Sequence, residues 1–188
     1  MDKNEFIERI SQNKNNSAIL ERLQTVQIKD IWLVSGSLFQ TVWSTLTDRE
    51  PTYGIKDYDI FYFDNDDLSW DAENIVIKQL EILFADLNIN VQVRNQARVH
   101  LWYEQHFGVS YPPLKSTCEA IDRFLMPAAM VGIQPSETLE LYAPKGLDDL
   151  NNMVIRPNLS DNFNAQYYYE KAKRWKKTWP ELKVMDVL

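Results

Sequence analysis

Apolar residues recur three and four positions apart near the start of the chain, and this spacing predicts two helices. Phe6, Ile7 and Ile10 share a face of the first; NKNN (13–16) interrupts, and Ser17 stands where it would cap a second helix carrying Leu20 and Leu23. The run IWLVSG (31–36) is continuously apolar and ends in glycine, the pattern of a short buried strand. LFQTVWSTL follows with Leu38, Val42 and Leu46 at helical spacing, and in TDREPTYG the residues Pro51 and Gly54 break any regular element. A second strand is expected from Asp57 to Asp64. After the charged turn DNDDLSW, Val76, Leu80, Leu83, Phe84 and Leu87 line one face of a helix over about 71–87, and NINVQVRN (88–95) alternates as a third strand.

Further on, Ser116 and Glu119 form a capping-box pattern ahead of CEAIDRFL. AMVGIQPSETLELYAPKG reads as a hairpin turning at Gln134-Pro135-Ser136, and a short helical turn is expected over 148–152. The last helix, about 165–178, sets Tyr168, Ala172, Trp175 and Trp179 on one face. Strands alternating with helices and then mixed elements imply an α/β (α+β) fold, a small mixed sheet flanked by helices with a C-terminal helix. The expected organisation is a single domain over 1–188, its core at about 17–160 and a C-terminal helical extension at about 161–188.

The bulk composition changes this picture little. A chain of 188 residues with 45% hydrophobic and 25% charged residues has a globular profile and can bury roughly 70% of its unfolded surface. Cys118 is the lone cysteine, and no apolar stretch follows a basic segment at the N-terminus, so a reducing, cytoplasmic location is expected. No apolar run approaches the roughly 20 residues of a membrane-spanning helix. A net charge of −7 argues against strong non-specific nucleic-acid binding, although a divalent cation can screen carboxylates locally and admit a nucleotide.

The candidate chemistry centres on GIKDYDIFYFD (54–64), in which two carboxylates head an apolar, aromatic run. Residues two apart on a strand project to the same face with Cα atoms roughly 6.5–7 Å apart. At an effective dielectric near 20, two carboxylates there repel by about 2–2.5 kcal/mol. Solvent at the strand end would relieve Asp57 and Asp59; so would a hard cation, which prefers carboxylate oxygens. Upstream, VSGS (34–37) ends a buried strand in Gly36-Ser37 and feeds a helix, whose first N–H groups form an anion site. A phosphate cradle and a carboxylate pair on successive elements are the two halves of a metal–nucleotide site.

Gly36-Ser37, the helix after it and Asp57-Tyr58-Asp59 inside an apolar strand resemble the signature of the polymerase beta-like nucleotidyltransferase superfamily. The phrases TVW (41–43), GIKDYDIFYFD, NQARVHLWYEQHFG (95–108), EAIDRF (119–124), YAPKGLDDL (142–150) and RPN (156–158) are similar to those of a mostly bacterial family of nucleotidyltransferase-like proteins, over about residues 17–160. The resemblance implies that Gly36 and Ser37 hold the triphosphate of an incoming nucleotide. It also implies that Asp57 and Asp59 bind Mg²⁺, two ions in all and with Mn²⁺ as a substitute, for transfer of a nucleoside monophosphate to an acceptor hydroxyl. The acceptor is unidentified: a small molecule, an RNA end or a protein. The superfamily usually adds a third carboxylate from the next strand; here the position matches Gln92, so a catalytically degenerate nucleotide-binding or regulatory module is the alternative. The interval from Ser37 to Asp57 is also longer than usual.

Around this centre, Lys56, Arg94 and Arg98 are candidate phosphate contacts; Arg98 could equally pair with an acidic neighbour, and Lys56 could simply be solvated. Asp64, Asp66 and Asp67 read as a solvated loop capping the next helix. Neither Cys118 nor His100 and His106 have the company a zinc or thiol site needs. KAKRWKK (171–177) offers two readings: a docking surface for acceptor or nucleic acid, or a helix whose aromatic stripe packs inward while its lysines face water.

Overall fold

A computed structural model describes residues 1–187 of the chain. Three strands set the site's frame: β1 (Trp32–Val34), β2 (Tyr58–Tyr62) and β3 (Val91–Asn95). Strand β2 pairs antiparallel with β1 and parallel with β3; on the other side of β1, β4 (Gly132–Gln134) and β5 (Glu140–Tyr142) continue the sheet antiparallel, in the order β3-β2-β1-β4-β5. The parallel β2–β3 pair needs a crossover, and α4 (Trp70–Leu83) supplies it. A two-stranded parallel sheet joins β6 (Val154–Ile155) to β7 (Lys183–Val184).

Helices α1 (Lys3–Ser11), α2 (Lys14–Leu23) and α3 (Gly36–Leu46) precede β2, and α5 (Tyr103–Phe107), α6 (Thr117–Ile121), α7 (Asp148–Asn151) and α8 (Ala165–Thr178) follow β3. The mixed sheet flanked by helices with a C-terminal helix is the expected α+β class. Strand β2 shows why the sequence alternates: Tyr58, Ile60 and Tyr62 are buried, while Asp59 and Phe61 on the opposite face are only partly covered. Helix α3 lies at the centre, with α1 and α7 packed on it and Leu38, Phe39, Val42 and Trp43 fully enclosed.

Several boundaries move from their expected places. Asn13, not Ser17, caps α2: its side chain accepts from the Asn15 N–H, so the break between α1 and α2 shrinks to two residues. Strand β2 begins at Tyr58, leaving Asp57 just ahead of it. Helix α4 ends at Leu83, and Ala85–Leu87 tighten into a 3₁₀ turn before Asn88 takes a left-handed conformation (φ 52°). Strands β4 and β5 do form a hairpin, yet the connection runs through residues 135–139, closed by Leu139 at φ 47°.

Helix α8 follows its predicted span and face: Tyr168, Ala172 and Trp175 are buried, and Trp179 just beyond its end is enclosed too. The rings of Phe39 and Trp43 lie 4.8 and 5.7 Å from that of Trp175, and Trp43 lies 5.5 Å from Trp179, all edge-on. Such pairs each add about 0.5–1.5 kcal/mol beyond area burial, so α3 and α8 are locked together through aromatic rings. The TDREPTYG loop closes over this cluster at Gly54, which has φ +77° and whose absent side chain leaves room for the Trp179 ring; a Cβ there would stand 2.7 Å from it. Among the described residues no helix is long and apolar enough to cross a membrane.

Candidate active site

The turn from β1 into α3 is the first wall of the site. Ser35 sits between them at φ 56°, ψ −117°, a strained conformation for a residue with a side chain, and is held there by its N–H donating to the Val131 carbonyl at 2.9 Å. Its own carbonyl accepts from the Leu38 and Phe39 N–H groups. The Gly36 and Ser37 N–H groups are left at the positive end of α3 without a helical acceptor. Gly36 is what brings this end close to the carboxylates: a Cβ on it would lie 3.8 Å from Asp59 Oδ2 and 4.0 Å from Asp57 Oδ1. Ser37 is fully buried and its Oγ has no partner among the described residues, so its contribution to a cradle is the backbone N–H.

Those two distances also place Asp57 and Asp59 on one side of the sheet. The register sets Asp59 beside Gln92 and Phe61 beside Arg94, so Gln92 and Arg94 edge the same face. Gln92 Nε2 donates to Asp57 Oδ2 at 3.0 Å. The carboxyl of Asp59 is pushed up from 3.8 to about 7 by burial first and by the Asp57 charge second, against the pull of Lys171 and Arg94. Lys171, from α8, is the counterpart: loss of solvation lowers its ammonium pKa, Arg174 adds to that, and Asp59 and Asp57 oppose it. By area the Lys171 side chain is exposed; the desolvation arises at its inner end, where it lines the same cavity as Asp59.

That cavity, of about 290 Å³, opens from Asp59, Ser35, Arg94 and Lys171 into a wall of aromatic rings that includes Phe61, Trp102, Tyr103, Phe107 and Tyr167. Of the residues predicted from sequence, Gly36, Asp57, Asp59 and Gln92 meet at one point and Arg94 joins them on the cavity face. Lys56 is exposed and does not line the cavity. Arg98 takes the second course open to it, an acidic neighbour in place of a phosphate contact: the 3₁₀ turn Gln96–Leu101 carries it away from the pair, its guanidinium bonds the buried Glu73 carboxylate and the Leu68 carbonyl, and its charge lies over the Trp70 ring. Sequence spacing did not single out Lys171 within KAKRWKK, where the aromatic stripe does pack inward but this one lysine lines the cavity with Asp59.

The donor set suits a hard cation. Two carboxylates lie together with one of them short of stabilising charge, and a turn of the Gln92 amide would offer its Oε1 as a neutral third oxygen. No cluster of three or more His, Cys, Asp or Glu side chains occurs among the described residues, so further oxygens would have to come from a ligand.

Comparison with known proteins agrees with this geometry. A nucleotidyltransferase family profile matches residues 21–184. An NMR structure that reveals a CCA-adding enzyme head domain superposes with a TM-score of 0.78 at 25% identity, over 99% of this chain and 97% of that one. No curated protein matches the sequence. With the profile spanning most of its length and the carboxylate pair facing the helix end, the chain belongs to the nucleotidyltransferase family.

Proposed function

We propose that the protein transfers a nucleoside monophosphate from an NTP to an acceptor hydroxyl, with the triphosphate on the N-terminus of α3 and divalent cations on Asp57 and Asp59. The observation that carries this reading is the meeting at Gly36 of a free helix end and both carboxylates, close enough that a single Cβ would contact each. Bound Mg²⁺, or Mn²⁺ in its place, would neutralise charge on the α-phosphate and the leaving pyrophosphate and align the attacking hydroxyl. The chain's own part is to hold the phosphates at the Gly36 and Ser37 N–H groups, to keep the Asp59 carboxylate ionised with the help of Arg94 and Lys171, and to exclude water with the aromatic wall. The acceptor hydroxyl belongs to a small molecule, an RNA end or a protein, and the lone cysteine favours a reducing compartment such as the cytoplasm.

Addition of Mg²⁺ with an NTP should raise the melting temperature, and Asp57→Asn with Asp59→Asn should abolish the rise; absence of any shift with all four common NTPs would refute the reading. The Gln92–Asp57 hydrogen bond favours a second reading, a nucleotide-binding module without turnover, since an amide occupies the place of a charged ligand. Pyrophosphate release that appears only in Gln92→Asp would establish it.

A further inference from the structure

The cavity extends well past the carboxylates, and its far part holds a charged group without a hydrogen-bond acceptor or ion-pair partner among the described residues. Arg123, just after α6, has its backbone carbonyl tied by the Asn162 side-chain amide (3.2 Å), which also reaches the Tyr103 hydroxyl. Its side chain faces the cavity with the guanidinium 5.2 Å above the Tyr111 ring. Its Nε is buried without a partner, and its Nη groups, which are not buried, have no hydrogen-bond acceptor among the described residues. A buried donor left unpaired costs about 1–3 kcal/mol, so Nε is a strained element of the site, while the Nη groups are the donors that a ligand in the cavity can reach.

The surroundings describe that ligand. Phe61, Trp102, Tyr103, Phe107 and Tyr167 give flat apolar walls suited to a planar ring. The guanidinium is a planar fork that matches two acceptors side by side in one plane. Phosphates have their own partners at the other end, where Arg94 and Lys171 face Asp59. We propose that this cavity binds a nucleobase and that Arg123 selects bases presenting two adjacent acceptors, guanine (O6 and N7) or cytosine (O2 and N3), over adenine, whose acceptors stand beside an amino donor. The proposal rests on the nucleotidyl-transfer reading, and the base belongs either to the incoming NTP or to the acceptor.

Calorimetry with Mg²⁺ and GTP, CTP, ATP or inorganic tripolyphosphate tests it on wild type and Arg123→Gln. GTP or CTP should bind at least tenfold tighter than ATP, and Arg123→Gln should remove that preference while binding tripolyphosphate as wild type does, which also shows that the variant is folded. Equal NTP affinities, with guanosine or cytidine binding tenfold better than adenosine to the NTP-loaded wild type and not to the variant, assign the base to the acceptor. Discrimination in neither experiment, or equal loss of tripolyphosphate binding in the variant, overturns the proposal. Failure of tripolyphosphate and every NTP to bind wild type defeats the nucleotide reading instead; Arg123-dependent binding of guanosine or cytidine then still decides this one.

Discussion

Gly36→Ala separates what the α3 N-terminus does for stability from what it does for a ligand. The added methyl would lie 3.2 Å from Gln40 Nε2, the far end of a flexible side chain that can turn aside, and at ordinary contact distance from both carboxylates. Gly36 is not among the residues with positive φ, so alanine meets no backbone strain. Replacing a helical glycine with alanine typically stabilises by about 0.4–1 kcal/mol. For a domain of this size that is a rise of about 1–4 °C in melting temperature. The ligand meets the opposite effect, because a phosphate oxygen must come within about 3 Å of the N–H groups the methyl now crowds. A ligand present at 100 times its dissociation constant stabilises by about 2.7 kcal/mol, and a hundredfold loss of affinity reduces that to about 0.4 kcal/mol. Thermal melts with and without Mg²⁺ and an NTP should therefore show an unliganded variant at least as stable as wild type whose ligand-induced shift has nearly vanished. A drop of several degrees without ligand would mean that Gly36 is there for packing, and a full ligand shift would mean that phosphate binds elsewhere.

Other outcomes follow from the same geometry. A carboxyl raised in the folded state stabilises most below the ordinary carboxylate pKa and loses that contribution as pH climbs to its folded value. Metal-free wild type should thus weaken relative to Asp59→Asn between about pH 4 and 7, by at most about 4 kcal/mol and less with solvent at the cavity mouth; melting curves that run parallel across that range would refute it. Gly54→Ala combines a positive φ with a Cβ 2.7 Å from the Trp179 ring, so urea unfolding should show a loss of at least about 2 kcal/mol, and an unchanged midpoint would show that the loop does not close on the aromatic cluster as described.

The central motif was legible because its signals are local. Parity alone puts Asp57 and Asp59 on one face and Tyr58, Ile60 and Tyr62 on the other, and a glycine ending an apolar run marks the strand-to-helix turn. The same parity groups Gln92 with Arg94, but it stops at Asn95, where the side chain caps the following 3₁₀ turn and redirects Arg98 toward Glu73. Lys171 was hidden for another reason: helical spacing tells which face of α8 packs, not what lies opposite, and its partner Asp59 is more than a hundred positions away. The cavity wall draws on residues 96–125, where short turns carry no sustained period, so neither Arg123 nor its aromatic neighbours announced a shared site. Asn13 displaced Ser17 as a cap because its side chain serves both the α2 N–H and Thr41 of α3 (3.1 Å), a tertiary demand that local capping preference does not encode.

The amide at position 92 has a consequence for how metal and nucleotide bind. Arg94 and Lys171 offset part of the charge on Asp57 and Asp59, and Gln92 donates to Asp57 where a third carboxylate would have repelled it. Each added like charge at such spacing would contribute about 2 kcal/mol of repulsion for a cation to relieve, and with an amide at position 92 this site has one such contribution fewer than a carboxylate triad. A triphosphate changes the balance by bringing several negative oxygens, drawing Arg94 and Lys171 toward itself and supplying ligands to the metal. Binding of the two should therefore be coupled, and by linkage the factor by which NTP tightens Mg²⁺ must equal the factor by which Mg²⁺ tightens NTP. Titration of Mg²⁺ alone and at saturating NTP should differ by at least about tenfold, or 1.4 kcal/mol of coupling, and Gln92→Asp should raise the affinity for Mg²⁺ alone while narrowing that ratio. Equal Mg²⁺ affinities with and without nucleotide would show that the carboxylates do not share their ion with a triphosphate.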